Sequence, residues 1–426
     1  MSLLEKTYSE YVQILKEELV LALGCTEPTC IAYVCAKARQ VLGEFPEEVV
    51  VESSGNIIKN VKGVIVPNTG NLRGIDAAAI IGIVGGDPDK ELEVLTGIEQ
   101  KDIDKAAELM KKNFCKVRLL KTKANLHVIA RVKSENHSAM VEIVHTHTNI
   151  VRIEKDGELL FKKDYDCSKC NDGLTDRSGL NVKDILEFAD TFELDDLKGI
   201  ILQQINYNSR ISQEGLNHLY GAGVGANLIK HYGCDIKVVA RAAAAAGSDA
   251  RMSGCILPVV INSGSGNQGM TVSLPVIEFA KHLGASEEKL IRALVLSNLV
   301  AIHQKTAIGR LSAYCGAVSA ACGSGAGITY LHGGTYDQIC KTITNTLANV
   351  AGIVCDGAKP SCAAKIASAV DAAIMAHYLS MENECFRPGE GLVKGDVEET
   401  ISSIGRLGRD GMRETDREIL KIMVEG

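Results

Sequence analysis

The chain has 426 residues, 46% hydrophobic and 23% charged, with a net charge of −7. That length supports two domains or one large one, with enough apolar side chains for a real core. The acidic balance, with no block of Lys and Arg, argues against nucleic acid as a partner.

The opening stretch "MSLLEKTYSEYVQILKEELVLALG" is charged at helical intervals and lacks the apolar run of a signal peptide. The longest uncharged run, between Arg251 and Glu278, is broken by Gly, Ser, Asn and Pro, so no membrane span is expected. We therefore expect a cytoplasmic protein. In a reducing compartment its 14 cysteines would not form a disulfide framework, and most would be small buried hydrophobes.

In chain order, Leu4, Tyr8, Tyr11, Leu15, Leu19 and Leu23 predict one amphipathic helix that Gly24 terminates. A second helix should start at once, with Thr26 as its N-cap and Glu27 and Pro28 in its first turn. "EEVVVESS", "KVRLLKT", "LHVIARVK", "AMVEIVHTHT" and "IVRIEKDGELLF" read as strands, the last folding back through a DG turn. "QKDIDKAAELMKKN" reads as a helix among them. Beyond about residue 185 apolar helical stretches alternate with Gly- and Ser-rich breaks such as "GAGVGAN", "INSGSGNQGM" and "CDGAKPSC". The expected fold is α+β in three parts. Residues 1–45 would be helices packed with the C-terminal half, 46–184 a smaller α/β domain with much antiparallel pairing, and 185–426 a helical domain whose loops converge on a site.

Several cysteines have a chemical setting. Cys167 and Cys170 form a C-x-x-C in an exposed-looking loop, but no second pair completes a zinc site. Cys30, Cys35, Cys115, Cys234, Cys340 and Cys385 read as structural. Cys25, in "LGCTEPT", sits where a helix begins; the positive helix end would lower its pKa and favour a thiolate, while the plain alternative is a thiol in a tight turn. Cys315, Cys322, Cys355 and Cys362 form a fourth group. The first two are seven apart on a helical stretch and the last two flank "DGAKPS". Soft thiolates in this setting suit zinc or an iron–sulfur cluster, and spacing alone does not choose between them.

"NSGSGNQG", residues 262–269, offers backbone N–H groups for a carboxylate or phosphate, or else is a flexible connector. It lacks the spacing of a P-loop. "AIHQKTAIGR" places His303, Lys305 and Arg310 ahead of Cys315, as carboxylate binders or helix caps. "SSGNIIKN" and "PNTGNLRG" share that polar, glycine-rich character, and "HTHTN" sets His145 and His147 on one face of the expected strand.

Taken together, "LGCTEPT", "SGSGNQG", "HQKTAIGRLSAYCG" and "CDGAKPSC" resemble the L-cysteine desulfidase family, relatives of the iron–sulfur L-serine dehydratases. The resemblance runs from residue 21 to about 375. It implies a [4Fe-4S] cluster held by Cys315, Cys355 and Cys362 with one iron open, which leaves Cys322 structural. It also implies that Cys25 acts at the substrate; because the Cα proton is weakly acidic and needs a placed base, the Cys25 thiolate is our candidate for that base. The implied reaction converts L-cysteine and water to hydrogen sulfide, pyruvate and ammonia without pyridoxal phosphate. Asn56, Asn71, Arg73, Ser263, Asn267, Gln268 and His303 would hold the amino acid. An L-serine dehydratase and a non-enzymatic metal-binding regulator are the alternatives. The only expected partner is the small-molecule substrate; no membrane or nucleic-acid partner is implied, and a homodimer is compatible with the sequence.

Overall fold

The computed structural model describes residues 5–166 and 174–425; Cys167 and Cys170 lie outside them. It is an α+β fold dominated by helices. Helix α1 (Glu5–Glu18) is followed by strand β1 (Leu21–Leu23), α2 (Thr26–Leu42), β2 (Glu48–Ser53), α3 (Gly55–Val61) and α4 (Ile75–Gly85). A 3-10 turn over Pro88–Glu93 leads to α5 (Gln100–Lys111) and strands β3 (Cys115–Leu119), β4 (His127–Lys133), β5 (Ser138–Val144), β6 (Ile150–Lys155) and β7 (Glu158–Lys162). Then come α6 (Val182–Thr191), α7 (Leu194–Asn217), α8 (Val224–Tyr232), α9 (Ile236–Met252) and the short β8 (Pro258–Val260). The chain ends in α10 (Gly266–Leu283), α11 (Glu287–Ile308), α12 (Gly316–Leu331), α13 (Tyr336–Val350), α14 (Cys362–Met381), α15 (Val397–Arg406) and α16 (Arg413–Glu425).

Six strands form one mixed sheet in the order β3-β2-β4-β5-β6-β7. Only β2 and β3 run parallel, Val49 facing Cys115; every other neighbouring pair is antiparallel. The alternation in "EVVVES" buries Val49 and Val51 on one face, as a period of two requires. That face packs on α2 and α4, and Cys30, Ile31, Val34, Ile80 and Ile81 share a core with it. A second, larger core fills the helical half around α12. Its run "SAACGSGAGI" is buried because small residues let backbones approach: a Cβ on Gly323 would meet the Ser297 carbonyl oxygen on α11 at 2.3 Å.

Three expectations change. The first helix stops at Glu18, and residues 21–23 become a strand whose partner, Pro258–Val260, is more than 230 residues away. Leu19 and Leu23 are buried either way, so the apolar spacing fitted both structures. The two N-terminal helices also divide between the cores: Tyr11, Ile14 and Leu15 of α1 join the helical core, but α2 belongs to the sheet. Finally, "HTHT" is not strand: β5 ends at Val144, and His145 turns away with φ 70°.

The last helix returns to the sheet side. On α16, Asp416 pairs with Lys59 of α3, and Leu420 covers Gly55. Among the described residues no helix is long and apolar enough to cross a membrane.

Candidate functional site

Four helix N-termini meet at one cavity between the two cores. Cys25 is the N-cap of α2, Ser265 of α10 and Cys315 of α12, and Cys362 is the first residue of α14. Each end presents unpaired N–H groups and the positive end of a helix dipole, so the cavity favours negative charge. Its free volume is about 90 Å³.

Cys315, Cys355 and Cys362 form one wall. Cys315 and Cys355 are tied by a short antiparallel bridge: the Cys315 N–H donates to the Ile353 carbonyl at 3.1 Å, and the Cys355 N–H to the Ala313 carbonyl at 2.6 Å. The loop between Cys355 and Cys362 turns at Gly357, with φ 94°; a Cβ there would meet the Lys59 carbonyl oxygen at 2.3 Å. Asp356 accepts from Lys359 and Lys365 and braces the loop. Burial pushes Cys315 up to about 12, with Cys355 adding to it, and raises Cys362 for the same two reasons. Lys365 is drawn toward its charged form by Asp356, Cys315 and Cys362, against the effect of its own burial.

Three crowded thiols beside a lysine and two helix N-termini suit a soft metal centre, because metal charge replaces three protons that burial otherwise holds in place. No three His, Cys, Asp or Glu among the described residues converge as ligands of a single ion. A [4Fe-4S] cluster does not need that convergence, since each thiolate binds a different iron. Cys322, also pushed up to about 12 by burial, is fully buried in the helical core outside this wall.

Cys25 faces the thiol wall with a carboxylate behind it. Its thiol donates to Glu27 Oε2 at 3.2 Å, and Asn60 Nδ2 donates to Glu27 Oε1 at 2.9 Å. Thr26 Oγ1 lies 3.1 Å from Glu27 Oε2 and 3.0 Å from the Gly264 carbonyl and can donate to either. Glu27 is 6% exposed. Its burial works against ionisation, but His147, Arg251 and the Cys25 thiol outweigh that and lower its pKa. Cys25 is the reverse of the sequence expectation. Burial first, and Glu27 second, hold its pKa well above the usual thiol value, with Arg251 opposing. Desolvation outweighs the helix dipole here, and Cys25 rests as a thiol. Cys25, not Thr26, is the N-cap.

The "NSGSGNQG" stretch is a tight turn, not a flexible connector. Ser263 and Gly264 both have positive φ, 50° and 79°, and Asn262 and Ser265 exchange backbone hydrogen bonds at 3.0 and 3.1 Å. Ser263, Asn267 and Gln268 line the cavity, and the Gln268 Oε1 atom has no partner. Arg251 is held by the Gly24 carbonyl at 2.9 Å and Asn267 Oδ1 at 3.2 Å.

Of the residues expected from sequence, Cys25, Cys315, Cys355, Cys362, Ser263, Asn267 and Gln268 therefore share one cavity. The other four lie elsewhere. Asn71 and Arg73 are exposed, Arg73 bridging to Ile65. Asn56 lies one turn before Asn60 on α3 but does not reach the cavity. His303 pairs with Glu398 at 2.6 Å; Lys305, two residues on and so roughly 200° around α11, lines the cavity instead. Glu27, Asn60, His147, Arg251, Lys305 and Arg310 also line it. Glu27 is marked in sequence by standing two residues after Cys25; Arg251 carries no sequence signal.

The cavity thus sets three thiols opposite a buried Cys25–Glu27 pair, with Arg251, Lys305 and Arg310 among its lining. The sequence profile of the serine dehydratase alpha chain family matches residues 89–421, and the chain belongs to that family. The match spans the three-thiol wall and stops short of Cys25 and Glu27. Membership suggests an iron–sulfur lyase of the serine dehydratase type. The chain is also 56% identical over 417 residues to a UPF0597 protein of Lachnoclostridium phytofermentans, covering 98% of this chain and all of that protein. Similar UPF0597 proteins come from Treponema denticola, at 51% identity over all of both chains, and Desulfitobacterium hafniense, at 53% over 99% of this chain and 97% of the relative.

Proposed function

We propose that the protein is an L-cysteine desulfidase, converting L-cysteine and water to hydrogen sulfide, pyruvate and ammonia. The observation that carries this is the single cavity in which Cys315, Cys355 and Cys362 face the Cys25–Glu27 pair. Cys315, Cys355 and Cys362 would hold a [4Fe-4S] cluster. When bound, it supplies a Lewis-acidic iron, short of one protein ligand, that favours departure of a β-thiolate.

The protein's own groups do the rest. Arg310, Lys305 and Arg251 supply positive charge for the substrate carboxylate, and the residues 262–265 turn fixes the floor beneath it. The Cα proton is only weakly acidic and needs a placed base. Passing the Cys25 proton to Glu27 Oε2 leaves a thiolate at the substrate. The pKa that makes this transfer costly also makes the thiolate a strong base, and Arg251 reduces the cost. Loss of the Cα proton and of sulfide leaves 2-aminoacrylate, which tautomerises and hydrolyses to pyruvate and ammonia.

The test is anaerobic purification and iron–sulfide reconstitution, an absorbance spectrum before and after L-cysteine, and sulfide assayed in the same sample. Broad cluster absorbance that changes with substrate as sulfide appears is the expected result. A colourless protein after reconstitution, or sulfide release that survives complete iron removal, overturns the reading. A serine dehydratase is the second reading, favoured by the family match. Comparing kcat/KM for L-cysteine and L-serine separates them, and a clear preference for L-serine decides for the second.

A further inference from the structure

Among the described residues the six-stranded sheet ends in β3 on one side and β7 on the other. An outer strand keeps a row of backbone N–H and C=O groups that only solvent or another chain can pair. β3 carries Lys116 and Arg118 and no acidic residue, so two copies of it would bring like charges together. β7, "ELLFK", is different. All five residues are exposed, and Leu159, Leu160 and Phe161 are between 44% and 54% exposed. Outer strands that stay in water normally avoid three adjacent large apolar side chains.

The pairing of β7 with β6 fixes what the free edge offers. Glu158 closes the two-residue Asp156–Gly157 turn opposite Lys155, and both turn residues have positive φ. The backbone groups of Glu158 therefore face β6, and those of Leu159 face outward. The Lys163 N–H donates to the Val151 carbonyl at 2.8 Å, so Lys163 also faces β6 and Lys162 faces outward. The register shift between these points leaves Leu160 as an extra residue on β7. Side chains follow the same register. Leu159 lies opposite Glu154 and Lys162 opposite Arg152, on the face turned away from α2 and α4. Phe161 lies opposite Ile153, on the face that packs on those helices.

A second copy can lie antiparallel along β7. The register that uses both outward residues of both copies sets Leu159 of each opposite Lys162 of the other, about a two-fold axis. Leu159 and Lys162 also share a face, as opposed residues of a sheet must. The same register sets Leu160 against Phe161 and Glu158 against Lys163, so apolar meets apolar and acid meets base. We infer that β7 is the interface of a homodimer, in which two copies pair β7 to β7 and join their six-stranded sheets into one. This goes beyond the proposed reaction and does not depend on it.

Sedimentation velocity of the purified protein over a range of concentrations tests it, and a dimer is the expected wild-type species. Glu158→Lys and Lys163→Glu each set like charges across the joint and should raise the dissociation constant by about tenfold or more. The double variant exchanges the pair and should restore association. Lys162→Pro removes an N–H that faces away from β6, so it should give monomers with an unchanged circular dichroism spectrum. A larger oligomer that falls to half its mass in these variants also supports the inference. A protein that is monomeric up to its solubility limit overturns it. So does an oligomer whose mass none of the variants changes, because its interface then lies elsewhere. A double variant that associates no better than the single ones also overturns it, since Glu158 and Lys163 would not be opposed.

Discussion

Glu27 separates two roles that one cysteine was expected to combine. Cys25 rests as a thiol donating to the Glu27 carboxylate, and in the proposed mechanism Glu27 takes that proton during turnover. Glu27→Gln keeps a hydrogen-bonding side chain but removes the proton acceptor. It should lower kcat by about a hundredfold or more, within the usual range for an acid–base group, while KM and cluster absorbance change little. Cys25→Ala should also keep the cluster and lose sulfide release; loss of cluster absorbance in that variant would contradict its placement opposite the three thiols. His147 sets a pH dependence of stability. Its folded pKa, about 4, lies below the value near 6.5 expected in the unfolded chain, so the unfolded state binds the proton first on acidification. The stability that neutral His147 supports is intact above pH 6.5 and falls as pH drops toward 4, by about 3 kcal/mol in total at roughly 1.4 kcal/mol per unit. Urea midpoints across that range should fall more steeply for the wild type than for His147→Gln; equal slopes would show that His147 is not buried neutral.

Among the elements, α3 is the strut behind the thiol wall. Its Lys59 ammonium is 2% exposed and reaches both Asp416 on α16 and the Cys355 carbonyl, the latter at 3.3 Å. Lys59→Met removes both contacts and leaves Asp416 unpaired. It should lower Tm and speed cluster loss on air exposure, followed as absorbance decay. Gly357→Ala should be harsher, since its left-handed backbone and the 2.3 Å approach to the Lys59 carbonyl both exclude a Cβ. The expected result is poor cluster loading at full expression; normal loading would mean that the loop has another stable path.

For the whole molecule, the site depends on two cores meeting. Cys315, Cys355 and Cys362 come from the helical half, and Cys25 and Glu27 from a helix in the core of the sheet. Cys315→Ala should lose cluster and activity together. Cys322→Ala, in the same helix but inside the core, should keep both at a cost of about 1 kcal/mol in stability for the small cavity it leaves. If Cys322→Ala loses the cluster, the ligand set is wrong.

Local order was legible in the chain because it follows from short-range periodicity. The β2 to β7 strands show alternation or a turn signal, α14 begins at the second cysteine of "CDGAKPSC", and the cysteine cluster stands out by residue type alone. The "GCTEPT" stretch marked a helix start with a thiol on it. Spacing could not show that β1 leaves the first helix to pair with residues 258–260, because strand pairing is long-range. It favoured His303 over Lys305, although a helix turns roughly 200° between them and only packing says which face meets the cavity. It gave Cys25 a lowered pKa from its place at a helix end. Only the tertiary structure buries that thiol against Glu27, and desolvation there exceeds what one helix dipole supplies.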